Sequence, residues 1–352
     1  MTAAAPERPE RPAAIDTEAR ELLYDLVATP STSGEEAAAA ERLRAFFAEQ
    51  GRDVWLDDVG SVRAPADDSL LLTSHIDTVP GDIPVEVRDG DLWGRGSVDA
   101  TGSLAAMAVA AVETGVSFVG VVGEEDDSRG ARHLVADRED APDAVLNGEP
   151  SGWDGITLGY RGMIAGTYVQ ASESGHSSRP GNNAIQDAID WWSRVEARFA
   201  GDEYEPVFEQ VTAKPVAVDG GASVDGLSVE ATMDVQLRVP PARTVDDVRE
   251  GADGELAGGT VRWHDAIPPV MESPRTAVAR GLRGAIRAAD GEPRLLRKTG
   301  TADVNLYADA WNCPTASYGP GDSSLDHTPD EHLALAEFDR AVAVLTDLPD
   351  RL

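Results

Sequence analysis

Apolar positions along the chain keep two rhythms that take turns. In "TEARELLYDLVATPS" (residues 17–31) and "GEEAAAAERLRAFFAEQG" (34–51) they recur every three or four residues, which predicts two amphipathic helices, the second closing on Gly51. "DVWLDDVG", "LLLTSHID" and "SFVGVVGEE" then carry short apolar runs of strand length. The longest apolar region, "SLAAMAVAAVETGVSFVGVVG", is split by Glu113-Thr114-Gly115 into a helix-length and a strand-length piece, too short to cross a bilayer. This alternation is the pattern of an α/β layer.

From Met163 the texture changes. "MIAGTYVQAS" and "LSVEATMDVQLRVPP" alternate as half-exposed strands do, and "NNAIQDAIDWWSRVEARF" between them has helical spacing, so an α+β segment is expected over 163–268. After Pro268-Pro269 the α/β rhythm returns with the helix "SPRTAVARGLRGAIRAAD", then "DVNLYADAW", "CPTASYG" and a last helix, "LALAEFDRAVAVLTDL", whose first turn would include His332. The expected organisation is a disordered tail over 1–14, a first domain built from 15–162 and 269–352, and an insert over 163–268.

Charge changes the setting more than the fold. A formal net charge of −33 comes from 63 acidic and 30 basic residues, and among the basic ones only Lys214 and Lys298 are lysines. Such a surface repels nucleic acid and anionic lipid, so neither is an expected partner. It suits a cytoplasm of molar salt, where the screening length falls to roughly 3 Å and self-repulsion fades. No apolar export signal is visible in "MTAAAPERPERPAA", and a cytoplasmic, halophilic protein is expected. The single cysteine, Cys313, excludes an intrachain disulfide and a cysteine-rich zinc site.

The chemistry sits where strand-like runs end. His75 and Asp77 in "SHIDTVPG" share a strand face, and Asp99 in "GRGSVDATG", Glu124 and Glu125 in "VVGEED", Glu149 in "NGEP" and His327 in "LDHTPDE" each follow such a run. Any one of these acids is expected by chance in so acidic a chain; five together with two histidines are not. Nitrogen and oxygen donors without thiolates suit zinc or cobalt, and one shared carboxylate can hold two metals ~3.5–4 Å apart. Three readings stay open on the residues alone: a two-metal hydrolase, a non-catalytic metal-binding scaffold, and an acidic interaction protein with coincidental ligands.

In order and spacing, "SHIDTVPG", "GRGSVDATG", "GEE", "NGEPS", "SGHSSRPG" and "DHTPDE" resemble the motifs of the dizinc M20 amidohydrolases. "GYRGM" and "RKTGTADVN" are similar to those of the family's short archaeal members, which release lysine or ornithine from an amino-group carrier protein. The resemblance implies a phosphorylase/hydrolase-like catalytic domain with a ferredoxin-like lid and dimerisation insert, a homodimer, and two Zn²⁺ (or Co²⁺) per chain. It implies that His75, Asp99 and Glu149 hold one metal and Asp99, Glu125 and His327 the other, with Asp77 orienting His75 and Glu124 acting as general base. His176 would donate to the oxyanion, and Arg238 would grip the substrate's carboxylate. Lys298, Thr299, Asp303 and Asn305 are expected to recognise the released basic amino acid. The substrate would be a carrier-protein-linked lysine or ornithine; an acetylornithine deacetylase, a succinyl-diaminopimelate desuccinylase or another small N-acyl amino acid hydrolase would share every metal ligand. Where many relatives have a lysine, this chain has Thr101, so no role is carried over to that position.

Overall fold

The computed structural model describes residues 11–352 apart from Ser177, Arg179 and Glu203; most of the tail expected over 1–14 lies outside the described residues. The helices are α1 (Glu18–Val27), α2 (Ala37–Glu49), α3 (Thr101–Thr114), α4 (Arg129–Asp137), α5 (Ala184–Arg198), α6 (Val245–Asp253), α7 (Ala277–Ala288), α8 (Val304–Trp311) and α9 (Leu335–Asp347). In chain order the strands are β1 (Trp55–Leu56), β2 (Val62–Ala64), β3 (Asp67–His75), β4 (Glu86–Arg88), β5 (Asp91–Trp93), β6 (Val116–Val121), β7 (Val145–Gly148) and β8 (Gly155–Tyr160). They continue with β9 (Gly162–Glu173), β10 (Thr212–Ala222), β11 (Ser228–Val239), β12 (Thr260–Ile267), β13 (Val270–Met271), β14 (Arg294–Lys298), β15 (Thr315–Ser317) and β16 (His332–Ala334).

Two compact units result. The first takes the chain up to Leu158 with Glu272–Leu296 and Ala302–Leu352; the second takes Gly159–Met271 and the short segment Arg297–Thr301. The larger sheet runs β1-β2-β6-β3-β7-β15-β8-β13, with β14 also on β8. Its middle strands β6, β3, β7 and β15 are mutually parallel. From β3 the chain crosses to β6 on one side and later to β7 on the other, so the strand order reverses at β3. Parallel α/β sheets open a crevice at such a point, beyond the carboxyl ends of the strands.

Local chemistry explains the elements that frame this crevice. Helix α3 is buried along nearly its whole length and stops at Gly115, whose φ of 75° a side chain would strain; the apolar run therefore breaks into a core helix and the core strand β6. Leu70, Leu72, Phe118 and Leu146 of the sheet pack with Leu23, Leu43, Phe47 and Phe338 of the helices in one core. Arg52 fastens a seam of it, donating to the carbonyls of Ala111, Ala64 and Val116. Strand "DVWLDDVG" shrinks to Trp55–Leu56 because the Asp57 carboxylate accepts the amides of Val59 and Ser61 and turns the chain. Cys313 is half-buried against the cluster of Tyr307 and Leu71, and burial pushes its thiol up, away from the reactive thiolate form. One expectation needs correction: His332 opens strand β16, paired with β5, and α9 begins only at Leu335.

The second unit reads βαββαβ, with sheet order β10-β11-β9-β12, all antiparallel. Trp191 and Val195 of α5 and Val248 of α6 pack on Ile164, Tyr168 and Leu237 of the strands. Asn183 and Gln186 start α5 with a reciprocal capping box. No helix among the described residues is long and apolar enough to cross a membrane.

Candidate metal centre

The four parallel strands deliver the site. Strand β3 ends on His75, β6 leads through Val122-Gly123 into Glu124 and Glu125, β7 is followed at once by Glu149, and His327 lies in the loop after β15. Asp99 precedes α3, behind a cis Asp99–Ala100 peptide. Asp99 is the hub. Its Oδ1 lies 3.2 Å from His75 Nε2 and its Oδ2 3.2 Å from His327 Nε2, so each carboxylate oxygen faces a different ring. His327 Nε2 is also 3.0 Å from Glu125 Oε1. Ligand atoms of His75, Asp99 and Glu125 all fall within 4.8 Å of one another.

Asp77 is fully buried and organises the groups around it. Its Oδ1 accepts the Glu124 amide at 3.0 Å and its Oδ2 the Glu125 amide at 3.1 Å and the Ser33 hydroxyl at 2.7 Å. His75 Nδ1 is held 2.8 Å from the Asp77 carbonyl oxygen, which leaves Nε2 aimed at Asp99. Burial works against ionisation of Asp77, yet bonds from His75, Ser33 and the Glu125 amide outweigh it and bring its pKa down to about 2.

Carboxylates crowd both rings at the centre. Bonding to Asp99 pushes His327 up to about 9, against a smaller effect of burial, with Glu125 adding to the rise. Burial opposes a charged His75 ring, but Asp77 and Asp99 raise its pKa well above the usual histidine range. Burial pushes the Glu124 carboxyl well above its ordinary range; His75 opposes this, and Glu149, Asp303 and Glu125 add to it. Two imidazoles and the three carboxylates of Asp99, Glu125 and Glu149, with no thiolate among them, form a donor set suited to hard or borderline divalent cations, and a carboxylate with one oxygen toward each ring is placed to bridge a pair.

The Peptidase family M20/M25/M40 model matches residues 71–351. The chain belongs to this family. Among curated M20 relatives, a LysW-lysine hydrolase of Deinococcus radiodurans is 42% identical over 95% of this chain and 97% of its own length. A protein of Thermococcus kodakarensis named as a putative LysW-lysine/LysW-ornithine hydrolase is 35% identical over 94% of this chain and 91% of its own. An M20 metallo-carboxypeptidase from Sulfolobus solfataricus has the same fold, with TM-score 0.78 at 18% identity, covering 95% of this chain and 99% of that one. A dinuclear metal-binding M20 peptidase of Bacillus subtilis superposes with TM-score 0.69 at 17% identity, over 95% of this chain and 97% of that one.

Within the M20 chain, the residues singled out from sequence divide between the units. His75, Asp77, Asp99, Glu124, Glu125, Glu149 and His327 gather in the first unit. Asp303 and Asn305 belong to it too, at the start of α8, with 2% and 1% of their surfaces exposed. Asn305 Oδ1 accepts the Ala302 amide, and Asp303, whose Oδ1 has no hydrogen-bond partner, is pushed up to about 7, chiefly by burial. His176, Arg238, Lys298 and Thr299 belong to the second unit. His176 is exposed, its Nδ1 2.8 Å from the Ser178 hydroxyl.

Three supporting residues escaped the sequence reading. Glu331, at the end of "DHTPDE", accepts the amides of Val98 and Asp99 and pairs with Arg95 at 2.6 Å. Asn147 Nδ2 lies 3.4 Å from Glu149 Oε1, and Ser33 reaches Asp77 from 44 residues away. Glu331 and Asn147 stood inside quoted motifs, and their burial at 1% exposure each was the missing signal.

Proposed function

We propose that this chain is a dinuclear metal-dependent amide hydrolase that releases lysine or ornithine from the terminal glutamate of an amino-group carrier protein. The observation that carries the chemistry is the Asp99 carboxylate, set between His75 and His327 at 3.2 Å from each. The substrate class is supported by the named activity of the Deinococcus relative and the extent of its match.

His75, Asp99 and Glu149 would hold one cation and Asp99, Glu125 and His327 the other. Bound there, a pair of zinc or cobalt ions supplies Lewis acidity and makes a water usable as a nucleophile near neutral pH. Glu124 follows directly from the backbone turn that Asp77 clamps. A carboxylate in that place would take a proton onto its oxygen from the attacking water and return it to the departing amine. Asp77 fixes which nitrogen of His75 faces the centre, an orienting role that metal-binding histidines require. We assign His176 to the developing oxyanion, Arg238 to the substrate's carboxylate, and Lys298, Thr299, Asp303 and Asn305 to the basic amino acid. We also assign the second unit to lid and dimer formation, and the chain to a saline cytoplasm.

Metal analysis of the purified protein, with amine release measured on carrier-linked lysine, carrier-linked ornithine, acetylornithine and succinyl-diaminopimelate, tests this reading. Two metals per chain and turnover confined to the carrier-linked substrates are expected. Preference for a free acyl amino acid would move the substrate to the deacylase branch, and absence of metal after dialysis would end the proposal.

A further inference from the structure

Arg161 is not among the residues assigned so far, yet its guanidinium bonds to four other residues of the second unit. It stands in the one-residue joint between β8 and β9 and is 5% exposed. Its Nε donates to the Thr299 carbonyl at 2.7 Å, and its Nη1 to the Val207 and Gln210 carbonyls at 3.2 Å and to the Thr212 hydroxyl at 2.9 Å. Two of these partners lead to Arg238. Thr212 opens β10 and stands directly across the ladder from Arg238 in β11. Thr299 lies two residues before Thr301, whose hydroxyl accepts Arg238 Nη1 at 3.1 Å. The other cross-strand neighbour of Arg238 is Met163, two residues after Arg161 in the chain. Arg161 thus reaches both the strand beside the base of the Arg238 side chain and the loop that holds its head. The two guanidinium groups are close enough for Arg238 to add to the lowering of the Arg161 pKa that burial begins.

We infer that Arg161 is a positioning residue for substrate recognition: by bridging Thr299 and Thr212 it sets the segment Arg297–Thr301, and through Thr301 the direction in which Arg238 presents its planar fork. The inference rests on reading Arg238 as the grip on the substrate's carboxylate. A rigid, five-donor guanidinium can satisfy oxygens on three segments at once, which an ammonium on a flexible stem cannot do with the same geometry. Recognition by a paired, planar contact is sensitive to orientation, so a loosened loop should cost binding more than chemistry.

The test is a set of kinetic cycles on the metal-loaded enzyme with carrier-linked lysine. Arg238→Ala alone should raise KM by at least ~10-fold; an unchanged KM would remove the reading of Arg238 and this inference with it. Arg161→Met should raise KM by ~10-fold with kcat within about threefold of the parent and metal content intact. Added to Arg238→Ala, it should raise KM by less than about a further twofold, because the group it positions is gone. Full additivity would overturn the inference and leave the reading of Arg238 standing. Arg161→Lys should fall between parent and Arg161→Met; a lysine as good as arginine would show that charge, not bridging, matters, and would also overturn it. If Arg161→Met loses metal or fails to fold, Thr301→Val carries the same cycle. It removes only the hydroxyl under Arg238, and a KM effect that disappears in the Arg238→Ala background is the supporting result; an additive one rejects the proposal.

Discussion

The two units hold their functional groups by different means. In the first, parallel strands end side by side and lead into the proposed ligands, so His75, Glu125, Glu149 and His327 arrive through topology while the Asp99 oxygens lie 3.2 Å from two rings. In the second, the strands are antiparallel, and β10 is exposed over most of its length, with Val216 and Val218 at 55% and 68% exposure. There Arg238 owes its setting to hydrogen bonds from side chains to a loop. A centre built on strand ends tolerates little variation in geometry. A side chain set by a loop can be retuned by one residue, which suits the substrate-recognition role proposed for Arg238.

That contrast can be broken most directly at Glu124. Glu124→Gln should leave metal content near two per chain and lower kcat by ~10²–10⁴, the usual worth of a positioned base; lost metal would instead place Glu124 among the ligands. In the second unit, His176→Ala should lower kcat by ~10²–10³ if the ring donates to the oxyanion, and an unaltered kcat would withdraw that role. Asp77→Asn, read by metal titration, should cost ~10–100-fold in metal affinity or activity, because the side chain that holds the Glu124 and Glu125 amides loses acceptor strength. The comparison sharpens with Lys298→Ala and Asp303→Asn, each expected to lower kcat/KM on a carrier-linked basic amino acid by ~10-fold with both metals kept. Asp303→Asn should spare an amide with a neutral side chain. Equal losses on both substrates would tie Asp303 to Glu124 rather than to the substrate's cation, an outcome its deep burial makes informative.

The same difference explains what the sequence disclosed. The α/β rhythm, the break at Gly115 and the ligand motifs were legible because period, punctuation and strand ends are local properties. His332 was placed in a helix because "LALAEF" continues its spacing backwards, whereas pairing of β16 with β5 draws the residue into a strand. Ser33 at Asp77, Glu331 beneath Asp99 and Arg161 beside Thr299 were not legible, since each acts on a partner 44, 232 or 138 residues away. Short motifs show which groups do chemistry; they are silent about distant groups that keep them still.

Arg52 bears on the near absence of lysine. It spends its donors on three backbone carbonyls, those of Ala111, Ala64 and Val116, and needs no acidic partner to do so. Ions in concentrated brine weaken attraction between exposed opposite charges, but they do little to a short, part-buried bond from N–H to carbonyl. Arginine used in this way is a non-covalent crosslinker whose hold is insensitive to the medium. In a chain carrying 63 acidic side chains, such a bond would outlast surface ion pairs as added salt screens them. Swapping Arg52 for lysine would preserve the charge and surrender the crosslink.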